Sequence, residues 1–226
     1  MAGRRLLITG AFGALGRAVA EGAAGQGARL ALVDAAPAAP AGLPDGLALP
    51  GVDLSDAAQA QKAVDEAADK LGGLDALINV AGTFRWETVE GGSTDTWDLL
   101  YKVNVATAVN MSRAALPHLL KSPAGRIVNV GANGALKAAA GMGAYAASKS
   151  GVHRLTEALA EETKGRITVN AVLPSIIDTA ANRADMPDAD FGKWVKPADL
   201  AAVILFLASE QAGAVTGALI PVTGGV

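Results

Sequence analysis

Short apolar runs of β type alternate along this chain with longer stretches in which apolar residues recur every three or four positions. Seven runs read as strands: Arg5 to Thr9, Arg29 to Asp34, Leu47 to Asp53, Leu74 to Asn79, Arg126 to Val130, Ile167 to Leu173 and Ala218 to Val222. Helical patterns lie between them. One covers Ala14 to Gln26, and a second runs to Leu71 from a Ser55 cap with Asp56 in its first turn. A long one covers Thr96 to Leu120 and should bend or end near Pro117. Two more span Ala144 to Thr163 and Ala198 to Ser209. Strands joined by helices imply a parallel sheet with helices on both faces, and such sheets bind ligands beyond the carboxyl ends of their strands.

The expectation is therefore an α/β, Rossmann-type, doubly wound parallel sheet of about seven strands. No repeat and no linker-like composition break interrupts residues 1–226, so they read as one domain. Two segments depart from the alternation. Ala35 to Gly46 is too rich in Pro and Ala for a helix, so that crossover should be reduced. Pro174 to Pro197 is a long loop, of the kind that covers a substrate.

Composition removes several kinds of chemistry. The chain has 50 Ala and 27 Gly, with 51% apolar, 4% aromatic and 18% charged residues, enough apolar material for a core. With no Cys, disulfides, thiolate metal sites and cysteine nucleophiles are excluded. Only two His are present, His118 and His153, far apart in sequence, so no metal site is expected. A net charge of −3 gives nothing basic enough to follow a phosphate backbone. The longest apolar run, Leu200 to Ala208, has nine residues, against about 20 for a membrane span. Arg4-Arg5 followed by Leu6 to Gly16 imitates an export signal, but Gly10, Gly13 and Gly16 interrupt it. A cytoplasmic chain with a small-molecule substrate is the expectation.

The segment Thr9-Gly10-Ala11-Phe12-Gly13-Ala14-Leu15-Gly16 sets three glycines three apart between the first strand and the first helix. Glycine there permits a tight turn, lets backbone N–H groups approach a pyrophosphate, and lets helix and strand pack closely. Plain turn chemistry is the competing explanation. Asp34 ends the second strand, 18 residues after Gly16, where a carboxylate can bond both hydroxyls of an adenosine ribose. A surface turn would also place an Asp there. No cation follows Asp34 closely, and Arg17 would point along its helix, so NADH is expected over NADPH. Asp53-Leu54 could meet the adenine edge, or Asp53 could start a helix. Asn79-Val80-Ala81-Gly82 closes the fourth strand at the same end of the sheet and could run beside the adenosine, or be a simple turn.

Tyr145 and Lys149 share one helix face, one turn apart. A Tyr with pKa about 10 is a poor acid/base near neutrality; an adjacent ammonium and a cationic oxidised nicotinamide would lower it. A solvated helix face explains the spacing equally well, but one of only two Tyr lies here, followed by Ala-Ala-Ser-Lys-Ser-Gly.

With the glycine turn, Asn79-x-Ala81-Gly82, Asn104, Tyr145-x-x-x-Lys149 and Thr223-Gly224-Gly225 in this order, the chain resembles the short-chain dehydrogenase/reductase family over nearly its whole length. The resemblance implies that Tyr145 is the acid/base, that Lys149 lowers its pKa and holds the nicotinamide ribose, and that Asn104 holds a relay water. It implies that Pro174 to Thr179 contacts the carboxamide, with Ile177 and Thr179 in the matching places, although Ser175 replaces a usual Gly. It also suggests a homodimer or homotetramer built through the two long helices.

The family usually has a Ser 13 residues before the Tyr; here that position is Ala132. Losing such a donor costs about 3 kcal/mol for a developing oxyanion. Either the enzyme is impaired, or Asn133 substitutes, or the substrate does not need the donor. Gly131 to Leu155 and the stretch from Ile177 to Trp194 resemble the quinonoid dihydropteridine reductase branch, which likewise lacks the Ser and prefers NADH. Phe84 and Trp86 could then stack on a flat pterin, or simply pack beneath the loop. An ordinary carbonyl or 3-oxoacyl reductase and a non-catalytic nucleotide-sensing protein are the alternatives.

Overall fold

The computed structural model describes residues 1–226. Seven parallel strands form one sheet: β1 (Arg5–Thr9), β2 (Arg29–Val33), β3 (Leu47–Leu49), β4 (Ala76–Asn79), β5 (Arg126–Val130), β6 (Thr168–Pro174) and β7 (Leu219–Val222). Their spatial order is β3-β2-β1-β4-β5-β6-β7. Successive side chains of a strand face opposite sides, and β1 shows the consequence. Leu6 and Ile8 enter one apolar cluster with α1 (Ala14–Gly25) and α7 (Pro197–Leu207). Leu7 enters the other, with α2 (Ala57–Leu71), α4 (Thr107–Leu119) and α5 (Gly143–Glu162). The doubly wound arrangement expected from the alternation is present.

Several local expectations need correction. β3 stops at Leu49 rather than Asp53, because Pro50 has no N–H to extend the ladder and Gly51 turns the chain with φ of 72°. Ser55 does not cap α2. Its hydroxyl donates to Asp53 Oδ1 at 2.5 Å, and the cap is Asp56, whose carboxylate accepts from Ala58 N and Gln59 N. The long helix is not uniform. α3 (Thr94–Leu100) passes through a wider π turn, Tyr101–Ala106, before α4. Pro117 lies in the last turn of α4, which ends two residues later. The loop after β6 is structured: Thr179 caps α6 (Ala180–Asp185), and Ile177 pairs with Val195 across a single bridge. No helix replaces the missing crossover between β2 and β3.

Candidate active site

The carboxyl ends of β1, β4, β5 and β6 assemble the site. Gly10 has φ of 60°, and a Cβ there would lie 2.8 Å from Ala81 N, so only Gly lets β1 turn so close to the end of β4. A Cβ on Gly16 would overlap the Gly10 carbonyl. Gly13 has no such neighbour and sits exposed at the N-terminus of α1, which no side chain caps. The uncapped first turn of α1, from Ala14 to Gly16, therefore presents open backbone N–H groups, as a pyrophosphate needs. Ala14 is exposed, Phe12 half-buried, and Leu15 belongs to the core.

Asp34 reaches the same turn. One carboxylate oxygen accepts from Phe12 N at 2.9 Å and the other from Ala36 N at 3.0 Å. It thus fastens the glycine turn to the end of β2, with further lone pairs available to a ribose. Arg17 does not run along its helix as expected; its guanidinium lies over Gly42, with Ala41 O at 3.5 Å. Asp53 lies in the turn that leads into α2, accepting from the backbone and hydroxyl of Ser55, with Lys102 at 3.8 Å. The Leu54 side chain lies in the core, so only its backbone faces outward chemistry. Asn79 is likewise turned inward, donating to Asn129 Oδ1 at 2.9 Å and Ser112 Oγ at 3.3 Å. Thr9 Oγ1 accepts from Val80 N and Ala81 N, tying β1 to the chain leaving β4.

Gly82 is the meeting point of the catalytic candidates. A Cβ there would come within 2.8 Å of Asn104 Oδ1 and 3.1 Å of Lys149 Nζ. Asn104, in the π turn, is buried and fully engaged: Oδ1 accepts from Thr83 N, and Nδ2 donates to Thr83 O and Ser148 Oγ. Ser148 Oγ in turn donates to Tyr145 O. Its position one helical turn below the Tyr is the signal that sequence reasoning passed over.

Lys149 is buried and donates to Val130 O at 2.8 Å. Burial pushes its ammonium down to about 8 and pushes the Tyr145 phenol up to about 12. Desolvation is the dominant influence on both groups and the ammonium is turned to the β5 carbonyl, so burial runs against the expectation that Lys149 lowers Tyr145. The Phe84 ring stands edge-on to Tyr145 with centroids 4.9 Å apart. Trp86 is exposed, lies against Gly141, and donates from Nε1 to Ala140 O.

Ala132 is buried at the end of β5, and its N–H donates to His153 Nε2 at 3.3 Å. Asn133 is half-buried, and its carboxamide makes no hydrogen bond within the chain. Beyond β6, Ser175 Oγ donates to Thr223 O at 2.7 Å, so the hydroxyl in place of the usual Gly joins this segment to the end of β7. Pro174 is buried; the Thr179 hydroxyl accepts from Asn182 N, and Ile177 O accepts from Asn182 Nδ2. Behind them Arg183 pairs with Asp178 and lies over Phe191, 4.8 Å from its centroid.

This arrangement fits a dinucleotide: an open glycine cradle, a carboxylate at the end of β2, and a half-buried Tyr145 beside buried Lys149 past the strand ends. Residues 4–190 match the family model described as short chain dehydrogenase. The chain is 36% identical to meso-2,3-butanediol dehydrogenase of Serratia marcescens, covering 97% of this chain and 93% of that protein. It is 32% identical to the 3-oxoacyl-acyl-carrier-protein reductase FabG of Thermotoga maritima, covering 99% and 98%. Among solved structures, a glucose/ribitol-type short-chain dehydrogenase/reductase from Brucella melitensis superposes with TM-score 0.92 at 31% identity, covering 100% and 97%. A short chain dehydrogenase from Burkholderia cenocepacia in complex with NADP gives TM-score 0.87 at 32% identity, covering 99% and 98%. With the family model matched over residues 4–190 and relatives above 30% identical along nearly its whole length, the chain belongs to the short-chain dehydrogenase/reductase family of oxidoreductases.

Proposed function

We propose that the chain transfers hydride from NADH to a flat, quinonoid dihydropterin-like acceptor, with Tyr145 supplying the proton. The observation that carries this reading is Ala132. It offers a buried methyl where a donor would stand, and its N–H is already given to His153. A quinonoid ring regains conjugation on taking hydride, so it needs less electrophilic help than a ketone. Phe84 beside Tyr145, with exposed Trp86 on the same loop, supplies aromatic surface for such a ring.

In this reading the glycine cradle holds the pyrophosphate, Asp34 the adenosine ribose, and Ala81, Gly82 and the Asp53-Leu54 backbone flank the adenosine. Lys149 holds the nicotinamide ribose, while Pro174, Ile177 and Thr179 border the carboxamide. The bound cofactor supplies the hydride. Residues 174–197 form the substrate loop. Both Nδ2 protons of Asn104 are committed inside the chain, so a relay water is left to its backbone.

A second reading has its own support. The Asn133 carboxamide is uncommitted and lies next to Ala132, so it can donate to the oxygen of a ketone or 3-oxoacyl thioester; relatives named above are a butanediol dehydrogenase and a 3-oxoacyl reductase. The deciding experiment follows NADH oxidation with quinonoid dihydropterins, small diketones and acetoacetyl thioesters in parallel. Turnover confined to the ketones overturns the pterin assignment. Tight NADH binding without any turnover overturns both, leaving a nucleotide-sensing protein. Fluorescence titration tests the nucleotide: equal affinity for NADH and NADPH removes the preference based on Asp34. A homodimer or homotetramer in the cytoplasm belongs to the same proposal, the assembly supported by exposed Trp97, Leu99 and Tyr101 on α3 and the π turn after it; light scattering of the purified chain measures it.

A further inference from the structure

We infer that His153 is a positioning residue of this site, fixing the Gly131–Ala132 peptide at the end of β5 from the same helix face that carries Tyr145 and Lys149. Residues 145, 149 and 153 follow one another at one-turn intervals on α5. The imidazole is 2% exposed. It fills the space where residue 131 has no side chain: a Cβ on Gly131 would lie 2.6 Å from His153 Nε2 and 2.5 Å from Leu173 Cδ2. Nε2 accepts the Ala132 N–H, so the ring proton resides on Nδ1. Burial and the nearby cations Arg154 and Lys149 keep the ring neutral.

The residues around this peptide are held in sequence. Val130 O accepts from Lys149 Nζ, Gly131 N donates to Val172 O, and Ala132 N donates to His153. Two side chains of α5, one turn apart, therefore grip β5 on either side of Gly131. They place the Ala132 methyl and the start of the Asn133 turn relative to Tyr145. An error of about 1 Å at such a point can cost on the order of a hundredfold in rate. Glycine at 131, alanine at 132 and histidine at 153 thus form one packing solution, in which a ring nitrogen takes up the peptide N–H beside the missing hydroxyl.

This rests on the reading that residues 131–133 border the reacting atoms, and the test reads the peptide directly, apart from any substrate. In the 15N-labelled full chain with NADH, His118 is the only other imidazole. The expected result at pH 7 is His153 with Nε2 unprotonated and Nδ1 protonated, and slow exchange of the Ala132 amide. His153→Leu should speed that exchange at least about tenfold and lower kcat on the best acceptor about tenfold, leaving NADH affinity within about twofold. His153→Gln, which can set an amide oxygen near the Nε2 position, should restore most of both. A wild-type ring protonated on Nε2 overturns the inference. So does a Leu variant with wild-type kcat, or Gln and Leu variants that are equally impaired.

Discussion

Replacing Ala132 by Ser tests what the site lacks. Ala132 has φ of −158° and ψ of 139°, an extended conformation that Ser adopts without strain. Its N–H stays with His153 after the change. The substitution therefore adds one hydroxyl to a residue 4% exposed. Two terms compete. An unpartnered buried hydroxyl costs about 1–3 kcal/mol, so the free protein should lose no more than that in stability. A donor aimed at a developing oxyanion contributes about 3 kcal/mol, on the order of a hundredfold in rate. For a ketone or diketone, kcat/KM with NADH should rise by about ten- to a hundredfold as the second term outweighs the first. For a quinonoid dihydropterin the rate should change by less than about threefold. Steady-state absorbance at the NADH band measures both, with cofactor fluorescence confirming unchanged binding. An unchanged ketone rate in a folded, NADH-binding variant would refute the reasoning, because the reacting oxygen then lies away from residue 132 or is already served by Asn133.

Three further outcomes follow from the same geometry. Tyr145→Phe removes the proposed proton donor and should lower kcat at least about a thousandfold with NADH affinity nearly unchanged; a substantial residual rate in a single-turnover experiment removes Tyr145 from that role. Gly16→Ala places a methyl on the Gly10 carbonyl, and backbone cannot yield as a side chain can. About 2–3 kcal/mol of destabilisation is expected, read as a fall of roughly 5–10 °C in Tm for a chain of this size, with weakened NADH binding; a wild-type melting curve contradicts the packing argument. Asp34→Asn leaves one acceptor for the two backbone N–H groups of Phe12 and Ala36. NADH should weaken by about tenfold while NADPH changes less, and equal losses for both would show that Asp34 only fastens the turn.

The strands were legible where apolar residues alone decide. Arg5–Thr9 and Arg126–Val130 are read with their observed bounds because both lie in the sheet interior, with helices on each side. At the edge strand β3, backbone chemistry decides instead, and Pro50 ends the strand four residues early. The Ser55–Asp56 choice of cap turned on a tertiary detail, the capture of the Ser55 hydroxyl by Asp53. The π turn around Asn104 leaves no periodic mark in the sequence. It coincides with Asn104 reaching Thr83, 21 residues upstream, a contact that exists only once β4 and the long helix have docked. Within the site, side-chain direction was the poorly legible part. Asn79 and Leu54 sit where expected yet turn inward, and His153, passed over as solitary, lies on the Tyr145–Lys149 face. Histidine at four and eight residues from the pair was the available signal.

The electrostatics of Tyr145 give the site a direction. Burial pushes the phenol up to about 12, so the neutral form dominates at pH 7. The neutral phenol is the form that donates a proton to a reduced product, and it stays populated throughout the physiological range. Reduction should therefore be flat from about pH 6 to pH 9. Alcohol oxidation needs the phenolate as base. Its sign is opposite: a raised pKa depletes the base below that pKa, so the rate should climb about tenfold per pH unit through the same window. A cationic nicotinamide would favour phenolate and shift the climb to lower pH. Paired profiles of kcat in the two directions test this. An oxidation rate already level at pH 7 would mean that the phenol ionises readily in the working site, and that the bound nucleotide, rather than burial, sets the charge of Tyr145.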